Sequence, residues 1–135
     1  MKELKKASKL TYINVNNNQI GDEGFGKFLF SLQLCQNLTH ISAANNQIGF
    51  PSYRYLAGFV DECYWVKIID ISGLPLCQEE GQFFSTLGDA AECQIKITID
   101  SSIDKEAEAC LQLLPVITEV LVTLFKMHHL ENPYV

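Results

Sequence analysis

Basic residues are scarce in this sequence of 135 residues. Ten Lys and Arg stand against 16 Asp and Glu, which gives a formal net charge of −6, and Arg54 is the single arginine. Affinity for nucleic acid rests largely on clustered Lys and Arg, so we expect no nucleic-acid partner. Residues 92–135 carry seven acids against three Lys, so a basic protein partner fits the charge better.

Long apolar runs are also lacking. No unbroken apolar run of signal-peptide length follows the basic residues at 1–6 before Asn14. The most apolar stretch, 111–125, is interrupted by Pro115 and Glu119 and is shorter than a membrane span. We therefore expect no membrane association and no Sec-type export. The expected location is the cytoplasm, or a host cell reached by a non-Sec route.

Motifs for metal, cofactor or catalytic chemistry are missing as well. The five Cys include no CxxC pair, which favours buried thiols in a reducing compartment. His40 has no Ser, Cys or carboxylate at a spacing that would form a catalytic relay. The adjacent His128 and His129 would point in opposite directions on an extended chain. We predict no metal site, no cofactor and no enzymatic activity.

What the sequence does contain is a repeat of 28 residues. The segment 10–20 fits the pattern L-x-x-L-x-L-x-x-N-x-L, and the segment 38–48 repeats it in full. A third copy from Val66 keeps the apolar positions but has Leu74 in place of the Asn. A fourth copy from Gln94 is weaker and has Ser102 there, and a shortened closing strand is expected near 117.

The second half of each unit has helical periodicity, with apolar residues at i, i+3, i+4 and i+7. These predicted buried faces are Phe25, Phe28, Leu29 and Leu32; Tyr53, Leu56, Ala57 and Val60; Phe83, Phe84 and Leu87; and Ala107, Cys110, Leu111 and Leu114. Asp22, Ser52 and Asp104 are the predicted helix N-caps. Strands are predicted over 11–16, 39–44, 67–72 and 95–100. They should form one parallel sheet with the helices on its opposite side.

Segments 10–32 and 38–60 resemble the leucine-rich repeat of the ribonuclease-inhibitor-like type, most clearly in Asn18-Gln-Ile-Gly-Asp-Glu-Gly24. The resemblance covers nearly the whole chain, strongly in the first two units and loosely later. It implies one α/β solenoid domain over 1–135, with repeats starting near 10, 38, 66 and 94 and a curved sheet on the concave side. It also implies that Asn18 and Asn46 point inward and bind backbone, and that the turns at Leu74 and Ser102 are irregular.

Proteins of this class chiefly bind other proteins, so the resemblance implies an interaction module, for instance an inhibitor or a host-directed bacterial effector. Strand residues alternate in direction, which predicts a set of outward side chains on the concave face. The alternative is a solvated face without a partner. The predicted partner-binding residues are Tyr12, Asn14, Asn16, His40, Ser42, Asp70, Lys96, Thr98 and Asp100; Ala44, Ile68 and Ser72 should also point outward.

Two other functions remain open at this stage. The Ran GTPase-activating protein resembles this repeat type, and Arg54 is the chain's only candidate arginine finger. The chain could instead be a piece of a larger solenoid with a purely structural role. Solenoid ends need polar caps. Residues 1–9 could form a capping turn, or an end-to-end homodimer could cover the exposed edge.

Overall fold

A four-stranded parallel sheet forms the centre of the computed structural model, which describes residues 9–103. The strands are β1 (Tyr12–Asn14), β2 (His40–Ser42), β3 (Ile68–Leu76) and β4 (Gln94–Ile99), and they lie side by side in chain order. Their parallel pairing confirms the prediction from the 28-residue spacing. The predicted fourth helix, the N-cap Asp104 and the closing strand near 117 lie outside the described residues.

Three helices alternate with the strands. They are α1 (Asp22–Leu32), α2 (Tyr53–Glu62), which follows a short 3-10 helix (Phe50–Ser52), and α3 (Gln78–Ala91). Their buried residues form one cluster with Ile41 and Ile69 of the strands, so all three helices pack against the same side of the sheet. Phe28 and Phe83 lie at the margin of this core and are partly buried. The described structure is therefore of the α/β class, and none of its helices is long and apolar enough to cross a membrane.

The register follows the 28-residue period over the first three strands only. Ile13 pairs with Ile41, and Ile41 pairs with Ile69. Ile69 then pairs with Ile95, two residues earlier than predicted, so the expected equivalence of Ile97 with Ile69 was wrong. The physical reason is a short connection: Glu92 adopts a left-handed conformation just after α3, and the chain enters β4 at Gln94.

Asn46 holds the turn after β2. It is 1% exposed, and its Oδ1 accepts hydrogen bonds from the backbone amides of Asn18 at 2.6 Å and Ile20 at 3.2 Å. Its Nδ2 donates to the carbonyl oxygens of Val15 at 2.9 Å and Ala44 at 3.2 Å. The side chain thus satisfies backbone groups of two consecutive turns, as predicted for this residue.

Asn18 occupies the matching position after β1 but is exposed, so its predicted burial was wrong. Its Nδ2 donates to the carbonyl oxygens of Val15 at 2.7 Å and Asn16 at 3.0 Å, within its own turn. Asn46 is covered because the first turn packs over it. Among residues 9–103, no strand lies on the other side of β1 to cover Asn18 in the same way.

The turn after β3 is built differently. With Leu74 in place of the Asn, β3 continues through the turn region to Leu76, and its register against β4 shifts between Asp70 and Pro75. Gly73 has φ +129°, and a Cβ there would lie 2.7 to 2.8 Å from atoms of Asn45. Only glycine fits this conformation and this approach of the two turns. The irregularity predicted at Leu74 is therefore present.

The two described N-cap predictions were wrong in mechanism. Gly21 is the N-cap of α1, and Asp22 lies one residue inside the helix. The Asp22 carboxylate accepts hydrogen bonds from the Gly49 amide at 2.8 Å and the Ser52 hydroxyl at 2.6 Å. Ser52 is the N-cap of α2 as predicted, but its hydroxyl donates to Asp22 and makes no cap bond. Both side chains therefore connect the first unit to the second.

A capping box that the sequence reasoning missed begins α3. Cys77 is the N-cap, and the Glu80 carboxylate accepts a hydrogen bond from the Cys77 amide at 3.1 Å. Glu80 is buried, which its charge alone would not suggest. The spacing of three residues between a cap and a Glu was the available signal.

Candidate functional site

One side of the sheet is left open by the described helices. Alternation along the strands sends Ile13, Ile41 and Ile69 into the core, so their neighbours point to the other side. There Tyr12, Asn14, Gln94 and Lys96 are exposed, and His40, Ile68 and Asp70 are half-buried. We call the side chains of β1–β4 on this side, together with Asn16 and Ser72, the open sheet face. It contains most of the residues predicted to bind a partner.

The first row across the open sheet face is Tyr12, His40, Ile68 and Gln94. The Tyr12 ring meets the His40 ring edge-on with centroids 4.8 Å apart, in the range of favourable aromatic contacts. The Tyr12 side chain is 47% exposed, and its hydroxyl accepts a hydrogen bond from Asn14 Nδ2 at 3.2 Å. These contacts fix the ring while leaving much of its surface accessible. The signal for the pair was the 28-residue separation of Tyr12 and His40.

The second row is Asn14, Ser42, Asp70 and Lys96. Ser42 is only 6% exposed, because its hydroxyl donates to Asn16 Oδ1 at 2.8 Å. The same oxygen accepts the Ala44 amide at 2.7 Å. Ser42 and Ala44 point to the predicted side but offer almost no accessible surface, which corrects their expected exposure. The Asn16 side chain takes their place at the surface.

Asp70 and Asp100 each accept hydrogen bonds from the residue two positions later. Asp70 Oδ1 accepts from the Ser72 amide at 2.9 Å and the Ser72 hydroxyl at 2.6 Å. Asp100 Oδ1 binds Ser102 in the same way, at 3.0 and 2.6 Å. The hydrogen bonds from the Ser102 side chain and amide hold the pKa of Asp100 below its usual value. The hydrogen bonds fix both carboxylates in direction.

Thr98 and Asp100 lie away from the rows that the sequence assigned to them. Thr98 pairs with Pro75, beyond the register shift, and its Oγ1 accepts a hydrogen bond from the Gly73 amide at 2.9 Å. Asp100 follows the end of β4, where its amide donates to the Leu76 carbonyl at 2.9 Å. Lys96 is displaced too, because it pairs with Asp70 in the second row and not with Ile68 in the first, where the 28-residue period placed it. The remaining predicted residues lie together around β1–β3.

Clustered metal ligands or reactive thiols among the described side chains would indicate chemistry. Within residues 9–103 no group of three or more His, Cys, Asp or Glu side chains could hold a metal ion. Burial raises the pKa of Cys63 to about 11, with smaller contributions from Glu62 and Cys35, and burial raises that of Cys93 to about 11. Such thiols stay protonated at neutral pH, so they are poor nucleophiles. His128, His129 and Cys110 lie outside the described residues.

Arg54 lies on α2, on the helical side of the protein, where it is exposed. It is therefore remote from the open sheet face.

No protein-family model, curated protein or solved structure matches the chain.

Proposed function

We propose that the chain is a leucine-rich-repeat solenoid of the ribonuclease-inhibitor-like type that binds another protein through its open sheet face, with no chemistry of its own. The solenoid interpretation is supported by the equal register of β1, β2 and β3 and by the bonding of Asn46 to two consecutive turns. Such stacking of equivalent units is how repeat proteins bury an apolar stripe that one unit cannot bury alone.

The observation that carries the binding proposal is the Tyr12–His40 pair, in which the Tyr12 ring is exposed and packs against the half-buried His40. An aromatic ring that is held in one orientation loses little rotamer freedom on binding and offers a large contact area. Amide groups of Asn14 and Asn16 and the charges of Asp70 and Lys96 lie on the same face. This mixture of aromatic, amide and charged groups is typical of protein recognition surfaces.

The charge of the protein indicates a basic partner. The net charge is −6, and the Asp70 carboxylate is aimed by its two bonds to Ser72. Complementary charges act mainly on association rate and on orientation, while apolar anchors contribute more to affinity. We therefore expect Tyr12→Ala to weaken binding more than Asp70→Ala at physiological salt.

The experiment is proximity labelling in the native cell or host, followed by affinity measurement with the partner that it identifies. Tyr12→Ala should weaken binding by roughly tenfold or more, as truncation of a central anchor commonly does. Lys27→Ala is the control, because Lys27 is an exposed residue of α1 on the helical side. If Lys27→Ala abolishes binding while Tyr12→Ala and His40→Ala do not, the open sheet face is not the binding site.

A further inference from the structure

The helical side carries an apolar groove between α1 and α2. It encloses about 240 Å³ and is open to solvent. Phe30 stands beside it with 73% of its side chain exposed, although it is one of the largest apolar residues of the described chain, and Tyr55 is 39% exposed. Besides these two, its walls include Gly26, Arg54, Gly58 and Glu62.

Two glycines give the groove its shape. The Tyr55 ring lies on Gly26 so closely that a Cβ at position 26 would be 2.9 Å from the ring atoms. A Cβ at Gly58 would meet no atom within 4 Å, so the space above Gly58 is empty. Phe30 and Gly58 are 28 residues apart and thus occupy equivalent positions in neighbouring units. A protruding aromatic ring therefore lies next to an empty space on the same surface.

The size of the groove favours a side chain as its occupant. Pockets that take small molecules usually enclose about 300–1,000 Å³ and bury most of the ligand. This groove is smaller and open. A surface that carries the Phe30 ring next to the empty space at Gly58 is self-complementary. In a two-fold contact, the ring of each copy can occupy the empty space of the other copy.

The charges on α2 have the same symmetry. Arg54, Gly58 and Glu62 are spaced by four residues, so they share one face of the helix, with Gly58 midway between opposite charges. Arg54 and Glu62 are about 12 Å apart along the helix axis. If two copies of α2 cross antiparallel about Gly58, each Arg54 meets the Glu62 of the partner copy.

We propose that the chain forms a two-fold homodimer through this groove, with the two α2 helices antiparallel about Gly58 and each Phe30 packed over the Gly58 of the other copy. The contact lies on the helical side, so the open sheet face of both copies remains accessible. This dimer is side-by-side, in contrast to the end-to-end dimer that the sequence left open, and it does not depend on the proposed protein partner.

The first test measures the oligomeric state of the full chain by sedimentation equilibrium over a range of concentrations. The wild type should dimerise, and Phe30→Ser should raise the dissociation constant of the dimer by at least roughly tenfold, the effect of losing a central aromatic contact. Tyr12→Ser is the matched control, since it removes an exposed aromatic ring from the opposite face and should leave the constant unchanged. A wild type that stays monomeric at all concentrations would overturn the proposal. A different protein would then be the candidate occupant of the groove.

The second test separates this geometry from other dimers. Arg54→Glu and Glu62→Arg should each weaken the dimer, and the double variant should restore it while keeping the net charge of the wild type. Gly58→Leu should prevent dimerisation without unfolding the monomer, because the space at Gly58 is empty; circular dichroism and the melting temperature check the fold. A dimer that persists in Gly58→Leu and in Phe30→Ser would place the contact elsewhere and refute the proposal.

Discussion

The boundary between the first and second units differs from the boundary between the second and third. At the first, polar side chains connect the units: Asn46 bonds backbone of both turns, and Asp22 accepts from Gly49 and Ser52. At the second, no Asn is available, because Leu74 takes its place. Units with the same 28-residue period can thus be held together either by buried hydrogen bonds or by close backbone approach and aromatic packing.

Aromatic rings dominate the helical side of the second boundary. Phe50 packs on Phe83 and Phe84 with ring centroids 5.8 and 6.1 Å apart, and Tyr53 meets Phe84 edge-on at 5.5 Å. On the turn side, the backbone of Gly73 lies so close to Asn45 that no residue with a Cβ fits at position 73. Substitutions at the two boundaries should therefore lower the free energy of unfolding for different physical reasons, and this difference can be tested.

Apart from the truncation of core side chains, the largest expected effect is at Gly73. Gly73→Ala forces a Cβ to within 2.8 Å of Asn45 and into a backbone conformation that L-residues avoid, so we expect a loss of about 2–5 kcal/mol in the free energy of unfolding. Urea denaturation measures it. Gly58→Ala is the control with the opposite sign, compared at a protein concentration at which the chain is monomeric: its Cβ meets no neighbouring element, and alanine should stabilise α2 by about 0.5–1 kcal/mol. Equal effects at both glycines would contradict the close approach at Gly73.

The next effect is at Asn46. Asn46→Ala leaves the amides of Asn18 and Ile20 without their acceptor and removes one of the donors to the carbonyl oxygens of Val15 and Ala44, which should cost about 1–3 kcal/mol. Asn18→Ala is the matched control, because Asn18 is exposed and water can replace its bonds; it should cost no more than about 0.5 kcal/mol. Similar melting temperatures for the two variants would show that burial does not distinguish these positions.

A smaller loss is expected at Asp22. Asp22→Ala removes the acceptor for the Gly49 amide and the Ser52 hydroxyl, and we expect a cost of about 1–2 kcal/mol from these charge-assisted bonds. Ser52→Ala should cost less, since the bond from Gly49 to Asp22 survives. A double-mutant cycle should show that Asp22→Ala costs less when Ser52 is already alanine. An equal cost in both backgrounds would mean that Asp22 acts as a helix cap and not through Ser52.

The sequence predicted the parts of the fold that depend on a constant period. Ile13, Ile41 and Ile69 align because the connections between β1, β2 and β3 have equal total length. The predicted pairing of Ile69 with Ile97 was wrong, since Ile69 pairs with Ile95. The connection after α3 is shorter there, because the chain turns at the left-handed Glu92. A left-handed turn at a Glu leaves no mark in the apolar pattern, so periodicity alone could not locate it.

Neighbours explain the other differences between sequence and structure. Alternation placed Ser42 on the open sheet face, but its burial depends on the Asn16 side chain, which lies just after the neighbouring strand β1. Asn18 and Asn46 have the same local sequence, and only the strand beside each decides its burial. Asp22 fits a cap pattern, yet Ser52 competes for its carboxylate. In each case a contact 26 to 30 residues away along the chain overrides the local preference.

The mildest of the main substitutions is Tyr53→Phe, between the second and third units. Tyr53 is fully buried, and its hydroxyl has no hydrogen-bond partner within the described structure. Tyr53→Phe keeps the ring contact with Phe84 and removes an unsatisfied polar group, so the free energy of unfolding at pH 7 should stay the same or rise by up to about 1 kcal/mol. Tyr53→Ala is the contrasting variant and should cost about 3–5 kcal/mol, because the packing is lost.

The same hydroxyl should show itself at high pH. Burial raises the pKa of Tyr53 from 10.0 to about 12, so the folded protein keeps the phenol proton in a range where the unfolded chain releases it. The folded state binds more protons there, and stability therefore falls as the pH rises from about 10 to about 12. Tyr53→Phe removes this contribution, whereas the buried thiols of Cys63 and Cys93 act in both proteins. The difference in melting temperature between Tyr53→Phe and the wild type should thus grow above pH 10, and parallel curves would show that the Tyr53 hydroxyl reaches water.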